Sequence, residues 1–126
     1  MTGKKVLVVD DEVHIVHVVA IKLRNNGFDV ITAHNGGEAL ELARQEQPDC
    51  IVTDFQMPVM SGLELVARLR QQPGTSHIPV VMLTARGFDI PDEQQAQLNI
   101  AKCLSKPFSP RELLACVEEA LGAKVG

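Results

Sequence analysis

The chain has no tryptophan and no tyrosine, and its 4 phenylalanines are its whole aromatic content. A core built from it must be aliphatic, and a flavin-stacking site has almost nothing to work with. Cysteine is scarce too. Cys50, Cys103 and Cys116 are odd in number and unrelated in spacing, so neither a disulfide framework nor a CxxC metal site emerges. Reduced thiols in a cytosolic protein are the expectation. Lys and Arg total 12 against 16 Asp and Glu, a net charge of −4 with no long basic run, which argues against direct contact with nucleic acid. No apolar stretch approaches the roughly 18 residues that span a membrane. Met1-Thr2-Gly3-Lys4-Lys5 leads straight into a short apolar run, so no signal peptide is expected. Repeats, low-complexity tracts and linkers are absent, and 126 residues fit one domain spanning 1–126.

What the chain does have is five short apolar runs alternating with helix-like stretches. The candidate strands are Lys5–Asp10, Asp29–Ala33, Cys50–Asp54, Pro79–Thr84 and Lys102–Ser105. The first, third and fourth are apolar at nearly every residue, as expected of parallel strands buried on both faces. Asp29-Val30-Ile31-Thr32-Ala33 is more polar and suits an edge. Parallel neighbours need right-handed crossovers, so the alternation predicts a doubly wound α/β sheet with five helices.

The helix starts carry chemical signals. Asp11 is expected to cap a helix running to Asn25-Asn26-Gly27, with Val16, Val19, Ala20 and Leu23 on its buried face. Asn35 with Glu38, Ser61 with Glu64, and Ser109 with Glu112 have capping-box spacing. Pro110 at a first helical position supports the last of these. Between Asp89 and Ile100 only Ile90, Ala96, Leu98 and Ile100 are apolar, so the fourth helix should be short and weakly packed.

Polar residues stand where the apolar runs stop: Asp10-Asp11, Asp54, Thr84 and Lys106. In open α/β sheets ligands bind just outside the carboxyl ends of the strands, which would bring these groups into one pocket. At about 4 Å and an effective dielectric near 20, each pair of carboxylates repels by roughly 4 kcal/mol. Lys106 supplies one compensating charge and a divalent cation the other. All-oxygen ligands with room for water favour Mg²⁺. A carboxylate nucleophile, a lysine, a hydroxyl and a hard cation suit phosphoryl transfer. Asp54, leaving a central strand, is the best nucleophile. Asp10 and Asp11 would hold the metal, while Thr84 and Lys106 bind phosphoryl oxygens.

Val8-Val9-Asp10-Asp11-Glu12, Asp54-Phe55-Gln56-Met57-Pro58 followed by Gly62, Leu83-Thr84-Ala85, and Lys106-Pro107-Phe108 together resemble the receiver domain of two-component response regulators, of the chemotaxis-regulator kind. The likeness covers about residues 4–121. Each motif alone is weak, but the set in this order is specific. The resemblance implies a flavodoxin-like sheet in 2-1-3-4-5 order. It implies that Asp54 takes a phosphoryl group from a phosphohistidine on a sensor histidine kinase or a histidine phosphotransfer protein. It also implies Mg²⁺, with Mn²⁺ as a substitute, held by Asp11, Asp54 and the backbone carbonyl of Gln56 with help from Asp10. The Ala85 backbone amide joins the phosphoryl site, and the Lys106-Pro107 bond is expected to be cis. Phosphorylation should change the surface around the fourth helix and fifth strand, centred on Arg86–Ile100 and Cys103.

Two features depart from that family pattern. An aromatic residue usually stands three positions before the lysine, where this chain has Cys103, too small to act as a wedge. Gln97-Leu98-Asn99-Ile100-Ala101 lacks the usual small segment before the last strand. Gln56 and Arg86 occupy positions that flank the path of the hydrolytic water and should tune the lifetime of the phosphoryl group.

Blander readings exist for each residue. Asp10-Asp11 alone is more often a helix cap than a metal site, Thr84 alone a strand-end residue, and Lys106 alone a solvated lysine. His14 and His17 are three apart on the first helix but have no third nitrogen or sulfur ligand nearby, and belong at its surface. His34 and His77 look incidental, and Cys103 reads as an inert, packed thiol. Three other functions compete. A phosphohydrolase of the haloacid dehalogenase type needs an acid two residues after its nucleophile, where Gln56 stands. A flavodoxin-like module would repel flavin phosphate with two carboxylates after the first strand. A receiver used only for docking, without phosphorylation, would not need the intact set. The chain is read as an acceptor acting on its own Asp54, not as an enzyme with a separate substrate.

Overall fold

A computed structural model describes residues 3–85 and 90–125. Five strands, β1 (Lys5–Val9), β2 (Asp29–Ala33), β3 (Cys50–Asp54), β4 (Val80–Thr84) and β5 (Ile100–Ser105), form one parallel sheet in the order β2-β1-β3-β4-β5. The intervening helices are α1 (Val13–Arg24), α2 (Gly36–Glu46), α3 (Gly62–Arg70), α4 (Asp92–Gln97) and α5 (Pro110–Val125). The expected class and order are both present, with β2 on an edge. β1 stops at Val9 rather than Asp10, β4 begins one residue later than expected, and β5 begins two earlier.

Alternating strand residues feed two apolar layers. Leu7, Val9, Ile51, Val80 and Met82 pack with Ala39 and Ala43 of α2 and Leu65, Val66 and Leu69 of α3. Val6, Val8, Val52, Val81 and Leu83 pack with Val16, Val19 and Leu23 of α1 and Leu113 and Val117 of α5. The four residues of α1 expected to face inward are the four that are buried. Every residue of β3 and β4 is buried, which explains their uninterrupted apolar composition.

The helix starts hold with one correction. Ser109 and Glu112 form a complete box, Glu112 N–H donating to Ser109 Oγ at 3.1 Å and Ser109 N–H to Glu112 Oε1 at 2.8 Å. Asn35 accepts from Glu38 N–H at 2.8 Å, but Glu38 reaches back to His34 N–H rather than to Asn35. Ser61 caps Glu64 N–H at 3.1 Å. Asp11 does not cap α1. Glu12 is the N-cap, without a side-chain cap bond, and its N–H donates to Asp10 Oδ1 at 2.9 Å. The aspartate one residue earlier takes that donor and leaves Asp11 exposed.

α4 is the shortest helix, with no buried residue. Ile90 and Ile100 are buried on either side of it, but Ile100 belongs to β5 and Ala96 is exposed, so Ala96 is no anchor. The loop from β3 to α3 is tightly built. Gly62 N–H donates to Phe55 O at 2.9 Å, and a Cβ on Gly62 would overlap the Asp54 carbonyl oxygen and the Met82 sulfur. Val59 is fully exposed at a φ of 71°, where a β-branched residue is strained.

These two loop residues predict opposite effects. Gly62→Ala must push the end of β3 aside and should destabilise by about 2 kcal/mol or more. Val59→Asn relieves a backbone cost of roughly 1 kcal/mol without losing any packing, and should stabilise. Urea unfolding of both variants checks the signs.

Candidate functional site

The parallel ladder sets the polar residues side by side. Val9 pairs with Thr53, Asp54 with Leu83, and Thr84 with Ser105. Asp10 follows β1, Asp54 and Thr84 end β3 and β4, and Lys106 follows β5. Main-chain bonds continue past the strand ends: Asp10 N–H donates to Ala33 O at 3.3 Å, Phe55 N–H to Leu83 O at 2.7 Å, and Lys106 N–H to Thr84 O at 2.7 Å.

One carboxylate oxygen from each of Asp10, Asp11 and Asp54 lies within 4.8 Å of the others. Asp10 and Asp54 are buried and Asp11 is exposed. Lys106 Nζ sits 2.8 Å from Asp54 Oδ1, 3.4 Å from Asp10 Oδ2 and 3.6 Å from Glu12 Oε1. A cleft of about 310 Å³ opens over them, lined by Asp11, Glu12, Asp54, Gln56, Ala85 and Lys106. Lys106-Pro107 is cis. Glu12 is the neighbour that sequence reasoning passed over; its adjacency to the acid pair was the available signal.

Too many acids share too few cations here. Burial pushes the Asp10 carboxyl up from its usual 3.8 to about 6; the Glu12 N–H opposes this and the Asp54 charge adds to it. Asp54 is also raised, by burial above all, with its Lys106 hydrogen bond and charge pulling down. Burial alone would lower Lys106, but the Asp54 hydrogen bond and the charges of Asp10, Asp54 and Glu12 outweigh it, and the ammonium is held above its usual value.

Thr84 behaves differently from the acids. Its side chain is enclosed rather than lining the cleft, and its Oγ1 finds no partner among the described residues. A buried hydroxyl left this way costs about 1–3 kcal/mol. An arriving oxygen-rich group would satisfy it. The carboxylate trio, with no nitrogen or sulfur donor, fits a hard divalent cation.

The remaining site candidates fall out as follows. Gln56 and Ala85 are exposed on the cleft. Cys103 lies outside it, half-buried against the layer that holds α2 and α3, and burial raises its thiol pKa. Arg86 lies outside the described residues. His14 and His17 are exposed on α1, and His34 and His77 are exposed elsewhere. Among the described residues no helix is long and apolar enough to cross a membrane.

A sequence profile described as the response regulator receiver domain matches residues 6–118. The chain is 43% identical over 119 residues to the alkaline phosphatase synthesis transcriptional regulatory protein PhoP of Bacillus subtilis, covering 94% of this chain and 49% of that protein. It is 37% identical over 121 residues to the phosphate regulon transcriptional regulatory protein PhoB of Pseudomonas aeruginosa, covering 96% and 53%. The chain spans about half the length of the curated relatives it matches. Among solved structures, chemotaxis protein CheY4 of Vibrio cholerae superposes with a TM-score of 0.89 at 35% identity, over 95% of this chain and 100% of that one. The receiver domain of sensor histidine kinase PA1611 of Pseudomonas aeruginosa, described with a magnesium ion coordinated in its active-site cleft, superposes with a TM-score of 0.84 at 27% identity, over 96% and 99%.

The charge imbalance predicts a stabilising loss. A carboxyl raised on folding contributes stability that is present below its unfolded pKa of 3.8 and is lost as pH rises through about 6. In chelator, Asp10→Asn should therefore exceed wild type by about 1–3 kcal/mol at pH 7, and the gain should fade toward pH 4. Urea titrations across that range check it; a gain that grows in acid would contradict it.

Proposed function

The chain belongs to the response regulator receiver domain family of two-component systems, and on that premise we propose that Asp54 is its phosphoacceptor. Residues 1–126 act on this reading as one receiver domain with a core of about 4–121. The donor is a phosphohistidine on a sensor histidine kinase or a histidine phosphotransfer protein, and the compartment is the cytoplasm. A carboxylate oxygen of Asp54 attacks phosphorus, the phosphorus–nitrogen bond to the donor histidine breaks, and its electron pair stays on the imidazole. Later attack by water on phosphorus frees phosphate and restores the Asp54 carboxylate, so the chain works on its own side chain alone.

Each neighbour has a part in that exchange. Lys106, now shared between Asp54 and Asp10, transfers its hydrogen bond to a phosphoryl oxygen. Thr84 donates its unused hydroxyl proton to another, and the Ala85 amide serves a third. Asp10, Asp11 and Asp54, with the backbone carbonyl of Gln56, hold Mg²⁺. When bound, the ion supplies positive charge that offsets the crowding of the acids and of the incoming oxygens. Gln56 and Arg86 tune access of water. The phosphoryl group puts a charge of about −1.5 to −2 where the carboxylate carried one, and this biases the surface around α4, β5 and Cys103 between two arrangements.

One observation carries this reading: a partly exposed ammonium is bound to the buried Asp54 while a buried hydroxyl on the adjacent strand end stands without a partner among the described residues. Incubation with acetyl phosphate and Mg²⁺ should add the mass of one phosphoryl group to wild type and none to Asp54→Ala. Equal labelling of the variant would place the acceptor elsewhere. Sustained turnover of an aryl phosphate would point to a hydrolase instead.

A further inference from the structure

Far from the cleft, a half-buried cation is held by main-chain oxygens. Arg70 ends α3 and is half-buried. Its Nε donates to Leu98 O at 2.7 Å and its Nη2 to Asn99 O at 3.1 Å. Its Nη1 donates to Ser76 O at 3.1 Å and Thr75 O at 3.4 Å. Among the described residues no carboxylate pairs with it, and burial lowers its pKa. The planar fork of arginine fixes direction as well as distance, which an ammonium would not do. Leu98 is the C-cap of α4, so two of these carbonyls belong to the end of that helix and two to the connection leading into β4.

The segment so held is a natural place for rotation. Asn99 has a φ of 54°. Ile100 pairs with Val80 and Lys102 with Val81, which leaves Ala101 as an extra residue where the register shifts. At the other end of α4 the hold is of another kind. Ile90 is buried among apolar side chains, and Gln95 Nε2 donates to Ile90 O at 2.9 Å within the same segment. Apolar burial is non-directional and tolerates sliding, whereas the two hydrogen bonds to Leu98 O and Asn99 O do not. Pro91, the N-cap, makes no side-chain cap bond, and no residue of Asp92–Gln97 is buried.

We infer that Arg70 is the fixed pivot of α4: it keeps Leu98 and Asn99 seated on α3 in both the free and the phosphorylated protein, so that rearrangement is confined to the N-terminal side of the helix. This rests on the phosphoacceptor reading above. Arg70 and its four partners lie at the ends of the elements opposite the cleft and none of them lines it. Arg70 acts through the helix it holds and is a positioning residue for the response, not a catalytic one.

The test is amide exchange followed by NMR, with and without Mg²⁺ and beryllofluoride, on wild type, Arg70→Met and Arg70→Lys. Methionine keeps an apolar stem without donors, and lysine keeps the charge without the fork. In wild type, exchange at 90–95 should differ between the two states while residues 98–100 stay within about twofold. In Arg70→Met, exchange at 98–100 should rise roughly tenfold or more in both states, and the beryllofluoride-dependent change should spread across them. Arg70→Lys should fall between, and it serves alone if the methionine variant does not fold. Beryllofluoride affinity should stay within about threefold of wild type, because a pivot shared by both states adds little coupling. The pivot is overturned if wild-type residues 98–100 respond as strongly as 90–95, if substitution leaves their exchange unchanged, or if affinity moves well beyond that range. A wild type that binds beryllofluoride with no change anywhere would sink the signalling reading and the pivot together, which separates the two failures.

Discussion

A cluster of carboxylates closer than 4.8 Å, served among the described residues by one ammonium, is the constraint around which this molecule is arranged. Burial raises the carboxyls of Asp10 and Asp54, and the neighbouring acids add to that rise. The sheet holds the cluster together. The strands that deliver Asp10, Asp54 and Thr84 are the central ones, β1, β3 and β4, clad on both faces by aliphatic side chains. Hydrophobic burial of that extent, at about 1.5–3 kcal/mol for each large aliphatic side chain, can offset a local electrostatic cost of several kcal/mol. A charge-rich site is thus sustained by the least polar part of the chain.

The edges divide the remaining work. β2, the more polar edge, carries none of the site residues. β5, the other edge, delivers Lys106 across the mouth of the cleft, where its side chain is 23% exposed and can exchange one oxygen partner for another. The buried acids and the partly open lysine therefore differ in kind. The acids are fixed by the ladder, and the amine retains freedom.

Much of this was legible in the residues. Uninterrupted Val, Ile and Leu runs ending in Asp, Thr or Lys identify buried parallel strands and the edge from which the polar groups emerge, because only strand ends can present charge from such a core. The cap at Ser109 was legible from its spacing to Glu112 and from Pro110 beside it. What escaped depends on contacts distant in sequence. β1 stops at Val9, one residue short of the expected Asp10, and it is Asp10 rather than Asp11 that accepts the Glu12 N–H at the start of α1. Ile100 looks like a helix anchor from spacing alone, but pairing with Val80 draws it into β5. Arg70 resembles any basic residue in a last helical turn, and its carbonyl partners lie up to 29 residues away.

With Cys103 where an aromatic is usual in the family, the backbone is what joins the Thr84 strand end to β5. From Thr84 opposite Ser105 back to Val81 opposite Lys102, β4 and β5 pair without interruption, and the Lys106 N–H bond to Thr84 O extends that ladder into the site. A displacement at Thr84 is shared by β5 along this stretch because each paired residue constrains the next. It ends at Ala101, where the register shifts and the coupling is broken. Just beyond stand Asn99 and Leu98, gripped by Arg70. A side-chain wedge would pass the signal outward at one point. On the phosphoacceptor reading proposed above, a continuous ladder bounded by a bulge would pass it along the strand. Cys103, half-buried in the middle of that ladder opposite Met82, contributes packing to β5.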